Sequence, residues 1–245
     1  MKSPDEVIRR ALSSGIRFIL DVGINQKSWE KSLELSGKYD IVFSSLGLHP
    51  HFADNPGALS KIESLINKKV LAIGETGMDL YRNLSDPKNQ ARVFEEHIKL
   101  AIKNALPLVL HVREAHKEVL KILEGYRGEI RGVVHCFSGG VEEAHRYMDL
   151  GFYISISGTI TRPGSKLQDV VKEIPLSMLL VETDCPYLTP FPLKGRNEPS
   201  YVIYTLRKIS EILGVEEEEL SRRVYENGRK LFSPGDTQAY KEGAL

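Results

Sequence analysis

The chain has 245 residues, 41% apolar and 27% charged, which is ordinary for a globular protein and long enough to bury a large core. Lysine plus arginine equals aspartate plus glutamate at 33 each, so no broad electrostatic grip on nucleic acid or an anionic membrane is indicated, although a local patch around a metal could hold a few phosphates. No apolar run approaches the roughly 20 residues that span a bilayer, and the charged opening Met1-Lys2-Ser3-Pro4-Asp5-Glu6 lacks a signal peptide's apolar stretch, so a cytoplasmic location and no membrane partner are expected.

The first element is a helix. Ser3 is placed to cap it, Pro4 falls in its first turn, Asp5 and Glu6 sit at the positive dipole end, and Val7, Ile8, Ala11 and Leu12 form an apolar face. Strand-like runs follow at 17–22, 41–46, 70–73, 106–111, 132–135, 152–156 and 178–182. They are rich in Val, Ile and Leu with little polar alternation, as expected for strands buried on both faces. Helical patterns lie between them at 28–38, 90–104, 114–124 and 142–150, and two closing helices are expected at 201–213 and 217–231. The tail from 233 to 245, with its Pro, Gly and polar residues, is expected to be loosely held. No linker or composition shift interrupts the alternation, so residues 1–245 are expected to form a single domain. Parallel strands joined by crossover helices give an α/β fold, a (β/α) TIM-type barrel. The runs number seven where a closed barrel has eight, and the strand that is lacking is the first.

Glu75, His111, His135 and Asp184 each close one of these runs. Metal-ligand side chains at the carboxyl ends of successive parallel strands can converge on one point, and that end of a barrel is where active sites are built. Two imidazoles and two carboxylates suit a hydrolytic divalent ion such as Mg, Mn or Zn. A lone histidine ending a strand is ordinarily satisfied by the core, but four ligand types at four strand ends reverse that reading. His51 is either a second site residue or part of a turn made by Pro50. His97, His116 and His145 fall on helical patterns and are expected to face solvent. Cys136 and Cys185, the two cysteines, each follow a proposed ligand and are expected to be a buried, reduced pair. The run 216–219 reads as a solvated helix start.

Six segments, in order, carry a resemblance. They are Gly47-Leu48-His49-Pro50-His51, Ala72-Ile73-Gly74-Glu75-Thr76-Gly77-Met78-Asp79, Pro107-Leu108-Val109-Leu110-His111-Val112-Arg113-Glu114-Ala115, His135-Cys136-Phe137-Ser138-Gly139, Glu182-Thr183-Asp184-Cys185-Pro186-Tyr187-Leu188 and Arg196-Asn197-Glu198-Pro199. From about Asp5 to about Phe232 the chain resembles the TatD family of metal-dependent deoxyribonucleases, within the amidohydrolase-like TIM barrels. The resemblance implies that Glu75 bridges two metals, that His111 and His135 hold one, and that Asp184 binds the other and orients the water. Most of the family begins with a strand ending in a His-x-His pair, which is not found here. That implies a start assigned too late, a trimmed chain or a genuine deletion, and a second metal site that is weak or empty. His49, at another strand end, is expected to face a phosphate or a metal-bound water. Arg113 and Arg196 suit phosphate oxygens, because guanidinium binds them in a bidentate fork. Arg82 resembles a substrate-contact position of the family, although a plain surface role fits equally well. The 196–199 segment could instead merely organise entry to the following helix.

The function implied is 3′-to-5′ exonuclease action on single-stranded or damaged DNA, with one or two divalent ions. The residues alone support metal-assisted hydrolysis with phosphate binding. Two alternatives are hydrolysis of another ester, and a catalytically impaired barrel kept as a binding protein because the first strand is lacking.

Overall fold

A computed structural model describes residues 3–233, so the expectation for the tail lies, beyond Ser233, outside the described residues. All seven expected strands form: β1 (Ile19–Gly23), β2 (Val42–Leu46), β3 (Val70–Asp79), β4 (Leu108–Arg113), β5 (Gly132–Val134), β6 (Phe152–Ile156) and β7 (Leu179–Val181). Each pairs in parallel with the next, in the order β1 to β7, and the sheet curls into a half-barrel. Among the described residues β1 and β7 are the two edges and do not pair with each other, which leaves the barrel open where the first strand was expected to be lacking.

The helices are α1 (Pro4–Ser13), α2 (Gln26–Lys38), α3 (Ile62–Leu65), α4 (Pro87–Asn104), α5 (His116–Glu124), α6 (Val141–Asp149), α7 (Leu167–Val170), α8 (Val202–Leu213) and α9 (Glu217–Phe232). The start of α1 is a capping box: the Glu6 amide donates to Ser3 Oγ and the Ser3 amide to Glu6 Oε2, both at 3.3 Å. Asn25 caps α2 in the same reciprocal way with Ser28. The short α3 and α7 were not foreseen, having too few residues to show a period.

The convex side of the sheet packs against the helices through a large core that includes Trp29, Phe94, Ile98, Leu120 and Tyr147. The concave side is lined by Leu71, Val109, Val133, Tyr153 and Leu180. Its base is closed by Leu231 and Phe232 at the end of α9, with Phe18 stacked at 5.1 Å on Phe43 and at 5.8 Å on Phe232. Side chains alternate faces along a strand. His111, two residues beyond Val109, and His135, two beyond Val133, therefore point to the concave side at its carboxyl end.

Candidate metal centre

Glu75 owes its direction to a bulge. In the β3–β4 register Gly74 faces Val109 and Thr76 faces Leu110, so Glu75 has no partner and its carboxylate is turned toward the mouth of the barrel. The strand then runs on to Asp79, which faces Arg113. Glu75 Oε1 lies 2.7 Å from His111 Nδ1 and 2.8 Å from His135 Nε2, and those two nitrogens are 3.4 Å apart. His49 Nε2 approaches the same oxygen at 3.4 Å. Three imidazoles thus meet one buried carboxylate, and His49, Glu75 and His111 present donor atoms all within 4.8 Å of one another.

A further carboxylate stands behind each of two rings. Asp79 Oδ2 is 3.3 Å from His111 Nε2 and 2.8 Å from His51 Nε2. Glu182 Oε1 is 3.3 Å from His135 Nδ1. Carboxylates on the far nitrogens fix the rotation and tautomer of imidazoles that offer their near nitrogens to an ion. The charges follow this arrangement. Burial pushes the His135 imidazole down, but Glu75 and Glu182 overrule it and hold its pKa well above the ordinary value. Burial likewise opposes ionisation of His111, and Asp79 and Glu75 raise it. Burial pushes the Glu75 carboxyl up, and His135, His111 and His49 carry it well below the usual range. For Asp79 the push of burial is again outweighed, by His111, the Arg82 amide and His51.

The donor set fits a divalent ion. Ligands bonded at 2.0–2.2 Å around a tetrahedral ion lie about 3.4 Å apart. The His111 and His135 nitrogens have that separation, and the Glu75 oxygen, now hydrogen-bonded to them at 2.7 and 2.8 Å, would draw back from both to share an ion. Mixed imidazole and carboxylate donors suit Zn and Mn as well as Mg.

Asp184 lies three residues beyond β7 and takes no part in these contacts; among the described residues its side chain makes no hydrogen bond. Burial raises its carboxyl to about 6, against the nearby charge of His135. His51 lies in a turn of 3-10 helix, Pro50–Phe52, and its ring packs on His49 with centroids 4.2 Å apart. Arg113 is half-buried at the end of β4, its guanidinium 4.0 Å from the Tyr81 ring centroid, and among the described residues it makes no ion pair. Arg196 and Arg82 are exposed on loops beyond β7 and β3, and neither side chain is drawn into the cluster.

Three expectations need correction. His97 is fully buried on α4: its Nε2 accepts from the Leu48 amide at 2.9 Å and its Nδ1 donates to the Val93 carbonyl at 2.7 Å. His116 is half-buried against Phe137 and Tyr147, 3.2 Å from the Tyr147 hydroxyl. Of the three helical histidines His145 alone is exposed. The cysteines are free as expected but are not a buried pair, because Cys185 is exposed and Cys136 half-buried. Asp79 and Glu182 join the site although the sequence reading assigns them no role. The signal for them is their spacing: Asp79 is four residues beyond Glu75, and Glu182 two before Asp184.

Comparison with known proteins gives the family and the fold. A family model described as TatD related DNase matches residues 1–233. The chain is 38% identical over 234 residues to an uncharacterized metal-dependent hydrolase, YabD, of Bacillus subtilis, covering 93% of this chain and 92% of that one. It is 34% identical over 242 residues to the 3′-5′ ssDNA/RNA exonuclease TatD of Salmonella typhimurium, covering 94% and 93%. The solved structure of YJJV, a TatD homologue from Escherichia coli, superposes with a TM-score of 0.86 at 29% identity, over 94% of this chain and 92% of that one. An organophosphorus hydrolase variant, at 13% identity and a TM-score of 0.64, shares the fold alone.

Proposed function

Because the chain belongs to the TatD related DNase family and is a metal-dependent hydrolase, we propose that it removes nucleotides from the 3′ ends of single-stranded DNA by hydrolysing phosphodiester bonds. The observation that carries this reading is the meeting of the Glu75, His111 and His135 donor atoms from three neighbouring strands, β3, β4 and the end of β5. We assign Glu75, His111 and His135 to one divalent ion, Mn, Mg or Zn, and Asp184, with Glu75 shared, to a second and weaker one. A divalent ion held there lowers the pKa of water and offsets the charge gathering on a phosphate under attack.

The residues of the chain supply the rest. Asp79 and Glu182 hold the His111 and His135 rings so that their near nitrogens face inward. Asp184, just beyond β7 on the same side of the barrel, is the carboxylate we give the orienting of the attacking water as the phosphorus–oxygen bond breaks. Glu75 and Asp184 are therefore the catalytic carboxylates of this reading. Arg113, without an acidic partner among the described residues, is free to fork a phosphate, and we give His49 and Arg196 contacts to the substrate as well. The dry floor of apolar side chains beneath the cluster strengthens each of these interactions. A cytoplasmic location suits two cysteines that are both free, and no helix among the described residues is long and apolar enough to cross a membrane.

The test is nucleotide release from 5′-labelled single-stranded DNA with Mn²⁺ or Mg²⁺ against a chelator control. A ladder shortening from the 3′ end that needs metal, and that falls ~10²-fold or more in Glu75→Gln, is expected. Folded, metal-loaded protein that leaves the strand intact, or a Glu75→Gln variant as active as the parent, would overturn the reading.

A further inference from the structure

We infer that Asn197 is a positioning residue for Asp184, fastening the loop that carries it and anchoring that loop on α1. The inference rests on the reading of Asp184 as a metal ligand. Asp184 cannot hold itself in place: it lies past the end of β7, its φ of 52° is in the left-handed region that few non-glycine residues occupy, and among the described residues its side chain has no hydrogen bond. The constraint comes from Asn197, which is 3% exposed. Its Nδ2 donates to the Thr183 carbonyl at 2.8 Å and to the Tyr187 carbonyl at 2.6 Å. Its backbone amide donates to the Pro186 carbonyl at 3.2 Å, and the Tyr187 amide closes the turn on the Asp184 carbonyl at 3.0 Å. One side-chain amide thus grips the chain on both sides of Asp184.

The chemistry demands an amide at this position. Two converging carbonyls need two donors on one atom, which neither a carboxylate nor a hydroxyl provides. The remaining oxygen, Asn197 Oδ1, accepts from the Glu198 amide at 2.9 Å, which fixes which way round the group stands. Glu198 is itself buried and held hard. Its two oxygens accept from Arg10 Nε and Nη2, each at 2.7 Å, and Ser200 Oγ donates to Oε1 at 2.7 Å. That bidentate pair joins α1 to a loop 188 residues further along the chain. The simpler alternative, that this segment only starts the next helix, leaves the two bonds of the Asn197 side chain unexplained. The turn at Pro199–Tyr201 has no side-chain cap, and the donors of Asn197 face back toward the 183–187 loop.

The experiment is calorimetric titration with Mn²⁺ alone of the parent, Asn197→Leu, Asp184→Asn, the double variant and Arg10→Met, each also melted. Asn197→Leu should weaken the second, weaker Mn²⁺ binding step, the one assigned to Asp184 and the step read in every variant, ~10-fold, the low end of what losing an outer partner of a ligand costs. The double variant should bind no worse than Asp184→Asn. Arg10→Met, far from the cluster, should shift affinity in the same direction by less. An Asn197→Leu protein that melts lower yet binds Mn²⁺ like the parent would overturn the inference, as would losses that simply add in the double variant. If Asn197→Leu does not fold, unchanged affinity in Arg10→Met overturns it instead. If Asp184→Asn alone leaves affinity unchanged, the ligand reading falls and the inference falls with it.

Discussion

His97 shows how a single side chain far from the chemistry can matter to it. It receives the Leu48 amide and gives its other nitrogen's proton to Val93, so it is neutral in the fold and ties α4 to the residue before His49. Burial lowers its pKa to about 4, the Val93 carbonyl opposing, from 6.5 in the unfolded chain. Above pH 6.5 both states are neutral there and nothing is lost. Between pH 6.5 and 4 the unfolded chain takes up a proton that the folded one refuses, so stability falls as pH falls. Urea unfolding of parent and His97→Gln at pH 7 and pH 4.5 should show the parent losing about 2 kcal/mol more than the variant. Equal losses in the two proteins would mean that His97 can be protonated in place. Its burial was legible in part. Gln90, Val93, Phe94, His97, Ile98 and Ala101 form one buried stripe on α4, but the stripe is read only if two polar residues are allowed on the apolar face.

At the scale of the element, β3 departs furthest from the reading of its sequence. The apolar run stops at Ile73, yet the strand continues to Asp79, fully buried throughout. The continuation is possible because the Glu75 and Asp79 carboxylates are partnered by the site's histidines and because glycines let β4 come close; the buried Thr76 hydroxyl has no hydrogen-bond partner among the described residues. Gly77 has a φ of 133°, and a Cβ there would meet the His111 carbonyl oxygen at 2.2 Å. Gly77→Ala should therefore push β4 away from β3 at the ligand, costing about 3 kcal/mol in urea unfolding and lowering metal-dependent activity with it. Gly37, exposed on α2 with open space around it, is the control. Alanine there should stabilise by about 0.5–1 kcal/mol and leave activity alone. A Gly77→Ala protein as stable as the parent would show that the strand contact is not tight. The same closeness explains why Asp79 escaped a sequence reading. A strand believed to end at Ile73 cannot place Asp79 beside His111.

For the whole molecule, the alternation of strands and helices was plain in the chain, since runs such as Val70–Ile73 and Leu108–Leu110 have no polar break and are buried on both faces. The convergence of Glu75, His111 and His135 was expected from strand ends, but only His135 directly follows its strand; Glu75 sits at the bulge inside β3 and His111 inside β4. What could not be read are features that depend on distant partners: Phe232 closing the base of the barrel against Phe18, and Arg10 reaching Glu198. Asp184 stands apart from both cases: expected to join the cluster, it takes no part in the cluster's contacts, and the loop that carries it is held by bonding no local pattern reveals. The account turns on whether these donors gather an ion. The most direct measurement is anomalous diffraction at the manganese edge from crystals of the chain grown with Mn²⁺. The account predicts an ion about 2.0–2.3 Å from donor atoms of Glu75, His111 and His135, with any second, weaker peak toward Asp184. Manganese bound elsewhere, or no peak at the cluster in crystals of protein that degrades DNA, would contradict it.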